Sequence, residues 1–156
     1  MDSGRGADAT VTSPGERAEG SPDVKRILLA YDGEAPARKA LDVTIELATR
    51  FDIPVSVVSV VPVHPGRVPI EPWDGPEVHE AALRDAQRIL RKAGIEPELL
   101  DSSGDPAPTI ERIAEQGGFD TVIVGSRGLG AVSRILQGSV SQHVATHSDA
   151  TVIVAR

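Results

Sequence analysis

Cysteine is absent from the 156 residues. This excludes a disulfide framework, a thiolate zinc site and thiol catalysis. Aromatic residues make up only 3% of the chain, so the core has to be built from Val, Ile, Leu and Ala. That aliphatic mixture suits a parallel sheet covered by helices. No apolar run reaches membrane-spanning length, and the N-terminus lacks the basic-then-apolar pattern of a secretory signal, so the expectation is a cytoplasmic protein with no membrane partner. A basic excess is missing as well. The formal net charge of -7 argues against nucleic acid as a partner, because binding a phosphate backbone requires a basic stripe. A small anionic ligand responds to local groups and stays allowed.

Residues 1–23 are rich in Gly, Ser, Ala and charge, with Val11 the only branched aliphatic among them. Such a segment cannot offset its ordering entropy by burial and reads as a disordered tail. From Val24 onward, short β-branched runs alternate with longer segments of helical period, the signature of βαβ units in a single domain over 24–156. The strands are expected at VKRILLAYD (24–32), PVSVVSVVPV (54–63), IEPELLD (95–101), FDTVIVGS (119–126) and ATVIVAR (150–156). Between the first two, Leu41, Ile45, Ala48 and Phe51 recur at spacings of three and four and mark one helix face. A second helix over 77–94 turns Ala82, Ala86, Ile89 and Ala93 inward. Helices are also expected at 109–116, after the turn SSGDPAP, and at 139–147. Residues 62–76 hold five prolines and no period, as in a long surface loop.

Five strands joined by crossover helices predict an α/β fold, a three-layer sandwich with an open, doubly wound, five-stranded parallel sheet. With strand order 3-2-1-4-5, the ligand crevice opens between the first and fourth strands at their carboxyl ends. Asp32 ends the first and Gly125 ends the fourth. The stretch that follows, Gly125 to Val140, has neither GxxxxGK[ST] nor GxGxxG in the required place, so neither familiar phosphate loop applies. Its spacing is instead Gly125, two residues, Gly128, nine residues, Gly138 and Ser139.

G-x2-G-x9-G-[ST] after the fourth strand, together with an Asp at the end of the first, resembles the universal stress protein family in its nucleotide-binding form. The resemblance spans about 24–156. It implies a Rossmann-like fold of the adenine nucleotide alpha hydrolase type and a bound adenine nucleotide, ATP with or without Mg²⁺. Asp32 would accept hydrogen bonds from the adenosine end beside the Ala30 main chain, and the Val60 backbone would meet the base. Gly125 and Gly128 would admit main-chain N–H groups to the phosphates, while Gly138, Ser139 and Val140 would present a helix N-terminus to them. Arg127 would supply a cation. The resemblance further implies a homodimer through the last strand, Thr151, Val152, Ile153 and Val154. The proline that commonly introduces that strand in the family is missing from SDATVIVAR.

Structural readings stand beside these. A single glycine is usually only a strand end or a helix break, and Asp32-Gly33 is a good turn and helix-cap pair. Of the four histidines, only His143 and His147 share a helix face, and no third ligand stands at zinc spacing. Trp73 could stack on a base or plug the edge of the core. The function expected is a nucleotide-dependent stress-response module with at most slow hydrolysis. The rivals are an ATPase or phosphotransferase with Ser139 accepting phosphate, and an interaction scaffold with an empty site.

Overall fold

The computed structural model describes residues 24–63, 75–125 and 150–156. In chain order these form β1 (Ile27–Ala30), α1 (Ala35–Phe51), β2 (Val55–Pro62), α2 (Pro76–Lys92), β3 (Glu98–Gly104), α3 (Pro106–Gln116), β4 (Thr121–Gly125) and β5 (Thr151–Ala155). All pairings are parallel and the order is β3-β2-β1-β4-β5, as expected from the sequence. The tail 1–23, the prolines of 64–74 and the helix expected at 139–147 lie outside the described residues.

Alternation along β1 sorts its side chains onto two faces. Ile27, Leu29 and Tyr31 join Val55, Val57, Ile123 and the inward residues of α1 and α2 in one cluster. Leu28 and Ala30 join Val58, Val60, Val122, Val124 and the inward residues of α3 in the other. A β1 buried on both faces explains its unbroken apolar run. The three layers are thus α1 with α2, the sheet, and α3.

Three details depart from the sequence reading. Leu41 and Ala48 are buried as expected and Ile45 is half-buried, but Phe51, expected on the same inward face of α1, is 62% exposed, and Ala37, Ala40 and Thr44 complete the buried stripe. Helix α1 ends at Phe51, and Asp52 turns left-handed at φ 53, so the last side chain runs past the sheet. On α2 the buried stripe is His79, Ala82, Leu83, Ala86 and Leu90, with Ile89 and Ala93 at its margin. The larger leucines fill the space that small alanines alone would leave empty. The turn expected at 102–108 contributes instead to both neighbours: β3 runs on to Gly104 beside Pro62, and α3 starts at Pro106. Proline suits a first helical turn, where its missing N–H costs nothing.

Candidate functional site

The strand register pairs Leu29 of β1 with Ile123 of β4, so the two strands end side by side, with Asp32 just beyond one and Gly125 closing the other. Between them lies the first turn of α1. Gly125 is buried, and a Cβ there would lie 2.8 Å from the Ala37 backbone N and closer still to the Pro36 carbonyl. The glycine therefore admits helix α1 against the end of β4. This contact was invisible in the sequence, where Gly125 was legible only as a strand end or a phosphate-loop position.

Asp32 is half-buried, and its Oδ1 accepts a hydrogen bond from the Glu34 N–H at 3.0 Å. The bond closes a tight turn through Gly33, whose φ of 85 lies in the left-handed region that glycine tolerates. No side chain caps α1 itself. Burial pushes the Asp32 carboxyl above its ordinary value, against the hydrogen bonds from the Glu34 and Asp32 backbones and the nearby His79, which pull it down. A carboxylate can accept about four hydrogen bonds, so Asp32 has capacity for donors such as the vicinal hydroxyls of a sugar.

Around this edge the other expected residues fall as follows. The side chains of Ala30 and Val60 are buried in the α3 cluster, which leaves only their main chains for a ligand. Val60 pairs with Ser102 of β3, and the Tyr31 N–H donates to the Val58 carbonyl at 2.9 Å, extending the β1–β2 pairing to the level of the site. Arg127, Gly128, Gly138, Ser139 and Val140 lie outside the described residues. The structure thus brings Ala30, Asp32, Val60 and Gly125 to one edge of the sheet.

Two polar pairs at the same edge escaped the sequence reading. Ser59 Oγ and His79 Nδ1 share a hydrogen bond of 2.7 Å, both side chains being buried between β2 and α2. The Tyr31 hydroxyl donates to Asp85 Oδ2 at 2.8 Å, and the Arg38 guanidinium donates to the same oxygen at 2.9 Å. The only available signal was indirect: a serine inside a doubly covered apolar strand needs a partner somewhere.

Comparison with known proteins decides the family. The universal stress protein family matches residues 23–156. The chain belongs to that family. Universal stress protein YxiE of Bacillus subtilis is 27% identical over 150 residues, covering 84% of this chain and 98% of its own. Among solved structures, the universal stress protein UspA from Lactobacillus plantarum superposes with a TM-score of 0.67 at 25% identity, covering 85% of this chain and 97% of that one. A universal stress protein from Archaeoglobus fulgidus in complex with dAMP has the same fold, with a TM-score of 0.61 at 24% identity over 87% of this chain and 100% of its own.

Proposed function

We propose that this universal stress protein binds an adenine nucleotide, ATP foremost, at the carboxyl edge between β1 and β4, and that occupancy changes its shape or its partners. The observation that carries the reading is Asp32, a half-buried carboxylate held by its own turn at the crevice of a doubly wound sheet. Burying a carboxylate is unfavourable, and a cost concentrated at a ligand crevice points to use there. The sequence that leaves β4 supports it, since Gly125 opens the glycine spacing whose later members would meet the phosphates. The dAMP complex of the Archaeoglobus fulgidus protein shows an adenine nucleotide on this fold. Hydrolysis is slow at most in this reading: among the described residues, apart from Asp32, whose place is at the sugar, no group stands out to activate water. Edge strand β5, with Val152, Ile153 and Val154 half-buried, is the surface for pairing with a second copy.

The deciding experiment denatures the purified chain and reads released nucleotide by absorbance and mass, then titrates ATP, AMP and cyclic AMP calorimetrically into wild type and Asp32→Ala. Binding that weakens at least about tenfold in the variant is expected, as a charge-assisted hydrogen bond is worth roughly 1.5–3 kcal/mol. Absence of released nucleotide, together with no heat from any of the three, refutes the reading.

A further inference from the structure

The Asp32 turn is held from outside by a group on another element. Tyr31 precedes Asp32, and Arg38 follows it by six residues on α1; both donate to one oxygen, Oδ2 of Asp85 on α2. Arg88, one turn along α2, donates to the other oxygen, Oδ1, at 2.6 Å. The turn between the two anchors touches α2 a third time, since the position of a Cβ on Gly33 lies 3.7 Å from Ala82 Cβ. We propose that Asp85 is a positioning residue for the ligand site: by gathering Tyr31 and Arg38 on one carboxylate it fixes the turn that carries Asp32.

Stability alone does not account for this arrangement. Arg38 and Arg88 are each more than half exposed, and ion pairs of that kind contribute about 0–1 kcal/mol. Tyr31 is fully buried in the apolar cluster of α1 and α2, where phenylalanine would pack the same ring without a hydroxyl to satisfy. The hydroxyl gains a direction: it ties the last buried residue of the β1 segment to a helix packed against a different strand. Glycine at position 33 leaves the turn intrinsically loose, and a loose turn would be ordered only on binding, weakening affinity. Holding it beforehand removes that cost. Electrostatics agree with the geometry. Burial first, and then Asp85 as acceptor and charge, push the Tyr31 hydroxyl well above its ordinary range, so it remains a donor at every pH the protein meets. Partial burial would raise the Asp85 carboxyl, but the donors Tyr31 and Arg88 and the charges of Arg38 and Arg88 outweigh it and hold the group ionised.

The inference rests on the nucleotide reading above, and one experiment separates the two. Tyr31 is the only tyrosine in the chain, so the part of the near-ultraviolet difference spectrum that is lost in Tyr31→Phe, where Trp73 still absorbs, reports on this anchor. ATP, AMP and cyclic AMP are titrated into full-length wild type, Tyr31→Phe, Arg38→Met, Asp85→Ala and Asp85→Asn, well below each melting temperature, with the near-ultraviolet spectrum followed in each. Wild type is expected to bind with its tyrosine signal unchanged, the turn being held beforehand. Tyr31→Phe should bind about threefold to tenfold more weakly, the value of one hydrogen bond. Asp85→Asn, which keeps a carbonyl oxygen for the tyrosine hydroxyl, should recover part of what Asp85→Ala loses. Variants that bind within twofold of wild type while melting lower would show the clamp to be structural only and overturn the proposal. A wild type whose tyrosine signal shifts on binding, showing a turn ordered only by the ligand, overturns it too, leaving the nucleotide reading intact. If wild type releases no nucleotide on denaturation and takes up none of ATP, AMP and cyclic AMP, both fall together.

Discussion

Replacing Gly125 by alanine should destabilise the fold through one contact, and the size of the effect can be worked out beforehand. The new Cβ would meet the Pro36 carbonyl and lie 2.8 Å from the Ala37 N, all of it backbone, so no flexible side chain can swing aside. The first turn of α1 must retreat, and it carries Ala37, with Ala40 and Leu41 one turn on, all buried against the sheet. Overpacking of this kind costs about 1–3 kcal/mol. A smaller gain opposes it, because alanine has less freedom than glycine in the unfolded chain, worth roughly 0.4–1 kcal/mol. Contacts this short against backbone place the cost in the upper half of the overpacking range, so the net loss is about 1–2.6 kcal/mol, which for a domain of this size lowers the melting temperature by about 3–10 °C.

Urea denaturation followed by far-ultraviolet circular dichroism checks this directly: the midpoint should fall while the m-value stays constant. A Gly125→Ala protein melting within about 1 °C of wild type, or above it, would refute the close approach of α1 to β4. The same retreat displaces the turn from Asp32 to Glu34, so nucleotide affinity should fall along with stability. Affinity lost without any change in midpoint would instead place Gly125 at the phosphates and not under the helix.

Asp32→Asn should have the opposite effect on stability. With the folded carboxyl raised above its unfolded value, the native state holds the extra proton, and this group's contribution to stability falls as pH rises from the ordinary carboxylate value of about 3.9 through the folded one. At neutral pH that cost is fully present. Asparagine removes it while keeping an acceptor for the Glu34 N–H, so the variant should melt higher by about 1–2 °C. The margin should shrink toward zero as the pH is lowered into the carboxylate range, and a thermal melt against pH in the absence of nucleotide reads it; a variant melting lower at neutral pH contradicts the sign. In the core, Leu90→Ala, at a fully buried site on α2, should lose about 2–5 kcal/mol in urea denaturation. Phe51→Ser, at a side chain 62% exposed, should stay within about 0.5 kcal/mol of wild type.

The sheet was legible because parallel strands covered on both faces leave unbroken aliphatic runs, and Ile27–Ala30 and Thr121–Gly125 have no other reading. The strand order came from the doubly wound pattern of short crossovers and not from periodicity. Helix faces were less so. Phe51 continues the three-four spacing of Leu41, Ile45 and Ala48, and the pattern holds no mark of the helix ending there, since Asp52 in a left-handed C-cap carries no glycine signal. For the site, Asp32 and Gly125 were found by their places at strand ends. Asp85 and His79 were not, because both belong to a helix whose surface looks ordinary in sequence. Their partners, Tyr31 and Ser59, become neighbours only when α2 is laid on the sheet.

The local departures of the chain lie at both ends of the sheet: Asp52 is left-handed and Gly117 leaves no room for a side chain at the amino end, while others stand at the carboxyl edge. The two clusters end at Tyr31 and Ala155 on one face and at Ala30 and Val154 on the other. Immediately beyond stand a carboxylate whose charge burial opposes, a glycine at φ 85, and a strand end with no room for a side chain. The two glycines serve the turn and the packing of α1, whereas the carboxylate is a departure that the connection does not require, since asparagine would serve the Asp32 turn as well. A half-buried carboxylate at the crevice of a doubly wound sheet, with two helix-borne tethers from Asp85 and His79 on the strands that form it, is what a binding surface calls for. Asp32→Asn therefore tests more than one carboxylate: higher melting together with lower affinity would show that the edge gives up stability in exchange for binding.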